Sequence, residues 1–107
     1  MDEYEKEISD LKAQIEVMVE EEADRAEIRE LSLQLRVLSA LYSQALRLFD
    51  EGLRRPELRR GLMLRGYGEW NLDSVYAFVF ETAVELDEDR TEFSDAILAT
   101  DFAALIG

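Results

Sequence analysis

Two sets of side chains in this 107-residue chain have the type and spacing to do chemistry. The first is an arginine island, Arg54, Arg55, Arg59, Arg60 and Arg65, followed closely by Tyr67 and Trp70. A guanidinium is a planar fork that grips carboxylates and phosphates and stacks on aromatic rings. The predicted use of the island is partner binding. It would hold another protein's acidic face, or the acidic helix of a neighbouring copy, with Tyr67 and Trp70 as aromatic anchors. The competing reading is internal: the arginines pair with the chain's own carboxylates and Trp70 plugs the core.

The second set is acidic. Glu20, Glu21, Glu22 and Asp24 form a run that a divalent ion would hold only loosely, and a solvated charge run is the plainer reading. Asp87, Asp89 and Thr91 resemble the opening of a calcium loop, but Glu92 stands where the turn glycine belongs and Leu98 where the bidentate Glu belongs. No metal site is expected.

Catalysis finds little to work with. The chain has no histidine and no cysteine, so no Ser-His-Asp or Cys-His pair and no disulfide. A Ser-Lys dyad would need Lys6 or Lys12, and both lie on a charged helix face predicted to be exposed. Gly66-Tyr67-Gly68 lacks the rest of a phosphate-binding fingerprint. The carboxylates fall on faces that read as solvent, with no aromatic pocket to tune them. The expectation is a non-enzymatic protein without a cofactor or a small-molecule substrate.

Charge narrows the choice of partner. Lys plus Arg is 12 and Asp plus Glu is 25, a net charge of −13. A surplus of that sign opposes direct binding to nucleic acid and to anionic lipid, both polyanions. Residues 1–30 carry −8 and residues 70–107 carry −8, whereas residues 31–50 carry +1 and residues 51–69 carry +2. The island is thus basic ground between two acidic stretches. Ten of the twelve bases are arginine, a balance shared by salt-adapted archaea and by GC-rich genomes, so a halophilic origin is one reading. The polar start MDEYEKEISD has no signal-peptide pattern, and no apolar run reaches the roughly 20 residues that span a bilayer. A cytoplasmic protein, or part of a particle assembled inside a cell, is expected.

The elements that must position these groups read as all-α. Tyr4, Ile8, Leu11, Ile15 and Met18 are spaced four, three, four and three, the a/d seam of a coiled coil and the expected oligomer seam. Ile28, Leu31, Leu35, Leu38, Tyr42, Ala45 and Phe49 continue the spacing after a ten-residue step. That step is either a stammer in one continuous helix, the preferred reading, or a bend near Glu20 to Asp24 that makes a hairpin. A continuous helix from about Asp2 to Phe49 would be about 72 Å long, too long for one small globule to cover, and its stripe would call for a second copy.

The predicted organisation is an acidic segment over 1–27 and a small helical core over 28–107 that continues the same helix. Gly52 is expected to cap that helix in a left-handed conformation. Three short helices follow. One runs from Pro56 to Met63. A second, capped by Asp73, reaches about Leu86 with Leu72, Tyr76, Val79, Ala83 and Leu86 on one face. The last is capped by Thr91 after a polar turn at Asp87–Arg90, with Phe93, Ile97 and Leu98 inward and Asp101 as a bend or restart. Val75–Phe80 also has strand composition.

Function follows as expectation. The first reading is a structural or assembly protein that self-associates or docks another protein through helical surfaces. A virus or phage particle component suits its size and charge by analogy. The alternative is an acidic inhibitor or adaptor that occupies a basic protein surface as a nucleic-acid mimic. A DNA-binding regulator comes last, because the helix after the turn has no Lys or Arg to read bases.

Overall fold

The helix breaks where the heptad spacing skips. The computed structural model describes residues 3–86 and 93–106, and in it α1 spans Glu3–Glu20 and α2 spans Arg25–Arg54. The continuous helix is therefore replaced by two helices, and the argument from its length to a second copy no longer holds. The break has local causes. Glu22 takes φ 54°, the left-handed region. The Glu22 N–H donates to the Val19 carbonyl at 3.2 Å and the Ala23 N–H to the Met18 carbonyl at 2.9 Å. This paired closure is the Schellman way of ending a helix. Asp24 then caps α2, its Oδ1 accepting the Ala26 N–H at 3.0 Å, with Glu27 at the capping-box position.

Glutamate is a poor residue for that turn. A left-handed conformation costs a residue with a Cβ about 1–2 kcal/mol, and a carboxylate at a helix C-terminus opposes the helix dipole. Glu22→Gly is expected to stabilise the protein by about 0.5–1 kcal/mol after the added freedom of the unfolded chain is subtracted. The check is a higher urea midpoint at unchanged m-value.

Residues 1–39 form one compact unit. On α1 the half-buried residues are Tyr4, Ile8, Leu11, Ile15 and Met18, and every other residue from Glu3 to Glu20 is exposed. The a/d stripe is thus the covered one. Ile28, Leu31, Leu35 and Leu38 on the first part of α2 are half-buried as well. A four-residue turn, Glu21 to Asp24, separates these two stripes, and both belong to the same compact unit. Cover of this unit is only partial: no residue of α1 is fully buried, and Val17, Val19 and Leu33 stay exposed.

Residues 40–107 form a second unit, so the division lies within α2 at Ser39–Ala40, further along than the 27/28 division expected from sequence. Here α2 supplies Leu41, Ala45 and Leu48 at helical spacing to a core shared with α3 (Pro56–Leu64), α4 (Leu72–Leu86), α5 (Phe93–Ala99) and α6 (Phe102–Ile106). The other members are Leu58 and Leu62, then Val75, Phe78, Val79 and Ala83, then Ile97, Phe102, Ala103 and Ile106. Pro56 sits in the first turn of α3 as expected. Gly61 of α3 lies against Ile106, whose Cγ2 would be 2.4 Å from an added Cβ, and α6 packs at that point.

Several local expectations need correcting. Gly52 does not cap α2, which continues to Arg54; it is buried under the Trp70 ring. The left-handed glycines are Gly66, φ 91°, and Gly68, φ 81°, and Gly66 closes α3 with the Tyr67 N–H on the Leu62 carbonyl at 3.3 Å. Asn71, not Asp73, caps α4 by accepting the Ser74 N–H at 2.8 Å. Val75–Phe80 is helical, and its buried side is turned toward Val75 and Phe78, leaving Leu72 and Tyr76 half-buried. Among the described residues there is no strand. Ile97 is buried, but Leu98 is 52% exposed rather than inward. Asp101 does restart the chain as α6, accepting the Ala104 N–H at 3.3 Å. The expected turn at Asp87–Arg90, the Thr91 cap and the side chains of Leu86 and Phe93 lie outside the described residues.

Candidate docking surface

The arginine island straddles the corner between α2 and α3, and most of it is engaged locally. Arg54 pairs with Asp50 at 3.2 Å across one turn of α2. Arg55 lies between Glu51 at 2.7 Å and Glu57 at 2.8 Å. The hydrogen bond from Arg55 holds the Glu57 carboxyl below its ordinary range, helped by a backbone hydrogen bond. All of these groups are solvent-exposed, where screening leaves such pairs little net worth. The Arg59 Nη1 donates to the Leu53 carbonyl at 3.3 Å. The Arg65 Nη2 donates to the Leu105 carbonyl at 2.7 Å, and its guanidinium lies 6.0 Å from the Phe78 ring centroid. That contact commits Arg65 to an orphan carbonyl at the end of α6. Arg60 differs: it is exposed and has no ion pair among the described residues.

The two aromatics of the island serve the core. The Trp70 Nε1 donates to the Phe49 carbonyl at 3.1 Å, and its ring stacks on Phe49 with centroids 6.4 Å apart and planes within 10°. Tyr67 meets Phe78 edge-on at 5.7 Å, and its hydroxyl donates to Glu81. Desolvation first, and the Glu81 carboxylate second, push the Tyr67 hydroxyl up to about 12, so it remains a donor throughout the neutral range. Arg54 and Arg55 thus meet carboxylates of their own chain, Arg65 meets a backbone carbonyl, and Trp70 and Tyr67 pack on rings of the same unit.

The large apolar side chains left exposed on α3 and α4 are not among the site residues the sequence points to. Met63 and Leu64 of α3 are 60% and 81% exposed, and Phe80 and Val84 of α4 are 49% and 54% exposed. Arg60 stands on the α3 side, at i−3 and i−4 from Met63 and Leu64. Glu81 and Glu85 stand beside the α4 pair, again one turn apart. A signal for them existed. The continuous apolar stretch Val75–Phe80 is wider than one helical stripe, and Met63-Leu64 extends past the core residue Leu62. Both excesses are surface.

A cleft of about 380 Å³ runs between α2 and the α5–α6 junction, lined by Gln44, Arg47, Glu51, Thr100 and Asp101 among others. Its buried polar group, Gln44, is committed to the backbone. Nε2 donates to the carbonyls of Ile97 at 2.8 Å, Leu98 at 3.1 Å and Thr100 at 3.1 Å. Among the described residues no group of three or more acidic side chains is placed to hold a metal, and no helix is long and apolar enough to cross a membrane. No family model matches this chain, nor does any curated protein or solved structure.

Proposed function

We propose that this chain works by docking to protein through helical faces, as a non-enzymatic assembly component inside a cell or a particle made there. The observation that carries this reading is the set of large apolar side chains standing in solvent on charged helix faces, Met63 and Leu64 on α3 and Phe80 and Val84 on α4. Single exposed apolar residues are ordinary, whereas neighbouring ones on a face rimmed by charge mark interaction surfaces. The half-covered seam of Tyr4, Ile8, Leu11, Ile15 and Met18 offers a further helical edge, with Val17 and Val19 exposed beside it. Within the arginine island, Arg60 is the residue most available to a partner, because Arg54 and Arg55 already hold carboxylates of their own chain.

A second reading is an acidic adaptor on a basic protein, favoured by the net charge of −13 and by α4, which carries acids and no base. Mass measurement by light scattering at low and high salt separates the two. An assembly reading expects species heavier than the 12.4 kDa chain. A strict monomer at both salts removes self-assembly and leaves docking on a different protein. The adaptor reading expects a complex with its basic partner that dissolves as salt rises.

A further inference from the structure

We propose that copies of this chain dock on one another, with the α3 face of one copy on the α4 face of another. This rests on the docking reading above and names its partner as a second copy. The α3 face is apolar and basic. Arg60, Met63 and Leu64 lie together on it, and the one acid of α3, Glu57, is held by Arg55. The α4 face is apolar and acidic. Phe80 and Val84 lie one turn apart, Glu81 and Glu85 run beside them, and the helix has no Lys or Arg. Each face therefore presents what the other lacks: thioether and aliphatic groups against an aromatic ring and a valine, a guanidinium against carboxylates.

Charge selects this pairing over the symmetric ones. Setting α3 on α3 brings Arg60 against Arg60, and setting α4 on α4 brings Glu81 and Glu85 against themselves. Like charges brought together at an interface oppose the contact, so it joins two different faces. Such a contact closes as a two-fold dimer where both faces engage reciprocally, and as a ring or an open chain where they do not. The net charge of −13 opposes any approach of two copies at long range. Salt removes that term first, because the screening length falls to about 8 Å at physiological ionic strength, while pairs in contact are screened far less. Association should therefore rise with salt, the opposite of an acidic chain held on a basic partner.

The test is sedimentation velocity on the full chain in about 20 mM and about 500 mM sodium chloride over a range of concentrations. The wild type is expected to exceed 12.4 kDa in mass as concentration and salt increase. Arg60→Glu and Glu85→Arg, both at exposed positions, are each expected to weaken association about tenfold or more. An equimolar mixture of the two variants should restore it. In the mixture the carboxylate introduced at position 60 of one copy faces the guanidinium introduced at position 85 of the other, and the remaining contacts are native. Leu64→Ser supplies a breaking variant without charge, and circular dichroism melts report whether each variant keeps its fold. If the wild type assembles but both charge variants assemble equally well, or if their mixture stays as weak as each alone, the face pairing is overturned while docking stands. If the wild type stays monomeric throughout, the pairing and self-assembly fall together, and docking on another protein is left.

Discussion

Gly52→Ala is expected to destabilise the protein by about 2–3 kcal/mol, although the same change in an ordinary helix interior stabilises by about 1 kcal/mol. Gly52 lies within α2, two residues before the helix ends at Arg54. A Cβ there would lie 2.0 Å from Trp70 Cζ2 and 2.4 Å from Cε2, well inside contact distance. The indole cannot simply tilt away. It is held on one side by its stack on Phe49 and at Nε1 by the Phe49 carbonyl. Either the ring leaves, losing apolar burial and a hydrogen bond worth about 1 kcal/mol, or the α3–α4 turn that carries it shifts. For a unit of this size the loss corresponds to a fall in melting temperature of about 10 °C or more. The decisive measurement is a double-mutant cycle. In a Trp70→Ala background the obstruction is gone, so Gly52→Ala should change sign and stabilise by about 1 kcal/mol. If alanine remains destabilising there, the indole is not the reason for the glycine.

The same residue marks the boundary of what is readable in the sequence. A glycine followed by a proline four positions later reads as a helix end, because glycine is the commonest left-handed cap. The competing use of glycine, room for a ring arriving from elsewhere in the chain, leaves no local trace: Trp70 is eighteen positions away. The helix-ending rule is right in kind and applies at Gly66, where φ is 91°. Patterns carried by one segment alone are legible. The a/d spacing of Tyr4 to Met18 picks out the half-buried residues of α1, and Pro56 opens α3. The bend is visible only as a spacing anomaly, Met18 to Ile28, because the left-handed residue that makes it is a glutamate and carries no signal of its own.

The candidate site divides along the same line. Sequence shows that five arginines are close together, but it does not show which carboxylate each one meets. Asp50, Glu51 and Glu57 turn out to be near enough in the chain to take Arg54 and Arg55. Arg65 goes to a carbonyl forty positions away, which no spacing rule reaches. The exposed apolar residues are hidden for a different reason. Hydrophobic periodicity finds the face a helix buries. An apolar residue off that face reads as a widening of the core until tertiary structure shows that nothing covers it.

Gln44→Leu is the second large effect, expected at about 2–4 kcal/mol of lost stability. Gln44 is the buried polar side chain of the core, and its amide reaches across to the end of α5. A helix leaves its last carbonyls without internal donors. α5 ends at Ala99 and α6 begins again at Phe102, and between them Thr100 returns its hydroxyl to the Ala96 carbonyl at 2.7 Å and its N–H to the Ile97 carbonyl at 3.3 Å. The Gln44 amide adds two further donors there, its two Nε2 hydrogens shared among the carbonyls of Ile97, Leu98 and Thr100. Leucine removes both donors, leaving the Leu98 and Thr100 carbonyls without the amide while Ile97 keeps the Thr100 N–H. Gln44→Glu separates donation from packing. A protonated glutamic acid can still donate, whereas a carboxylate faces three carbonyl oxygens. Its folded-state pKa must therefore lie above the ordinary value of about 4.3. A raised folded pKa contributes stability below the unfolded pKa and loses it as pH rises through the folded one. Relative to wild type at each pH, Gln44→Glu should be nearly as stable at about pH 4 and fall steadily toward about pH 7. A pH-independent gap between the two would mean that the amide fills space at the α5–α6 junction without tying it to α2.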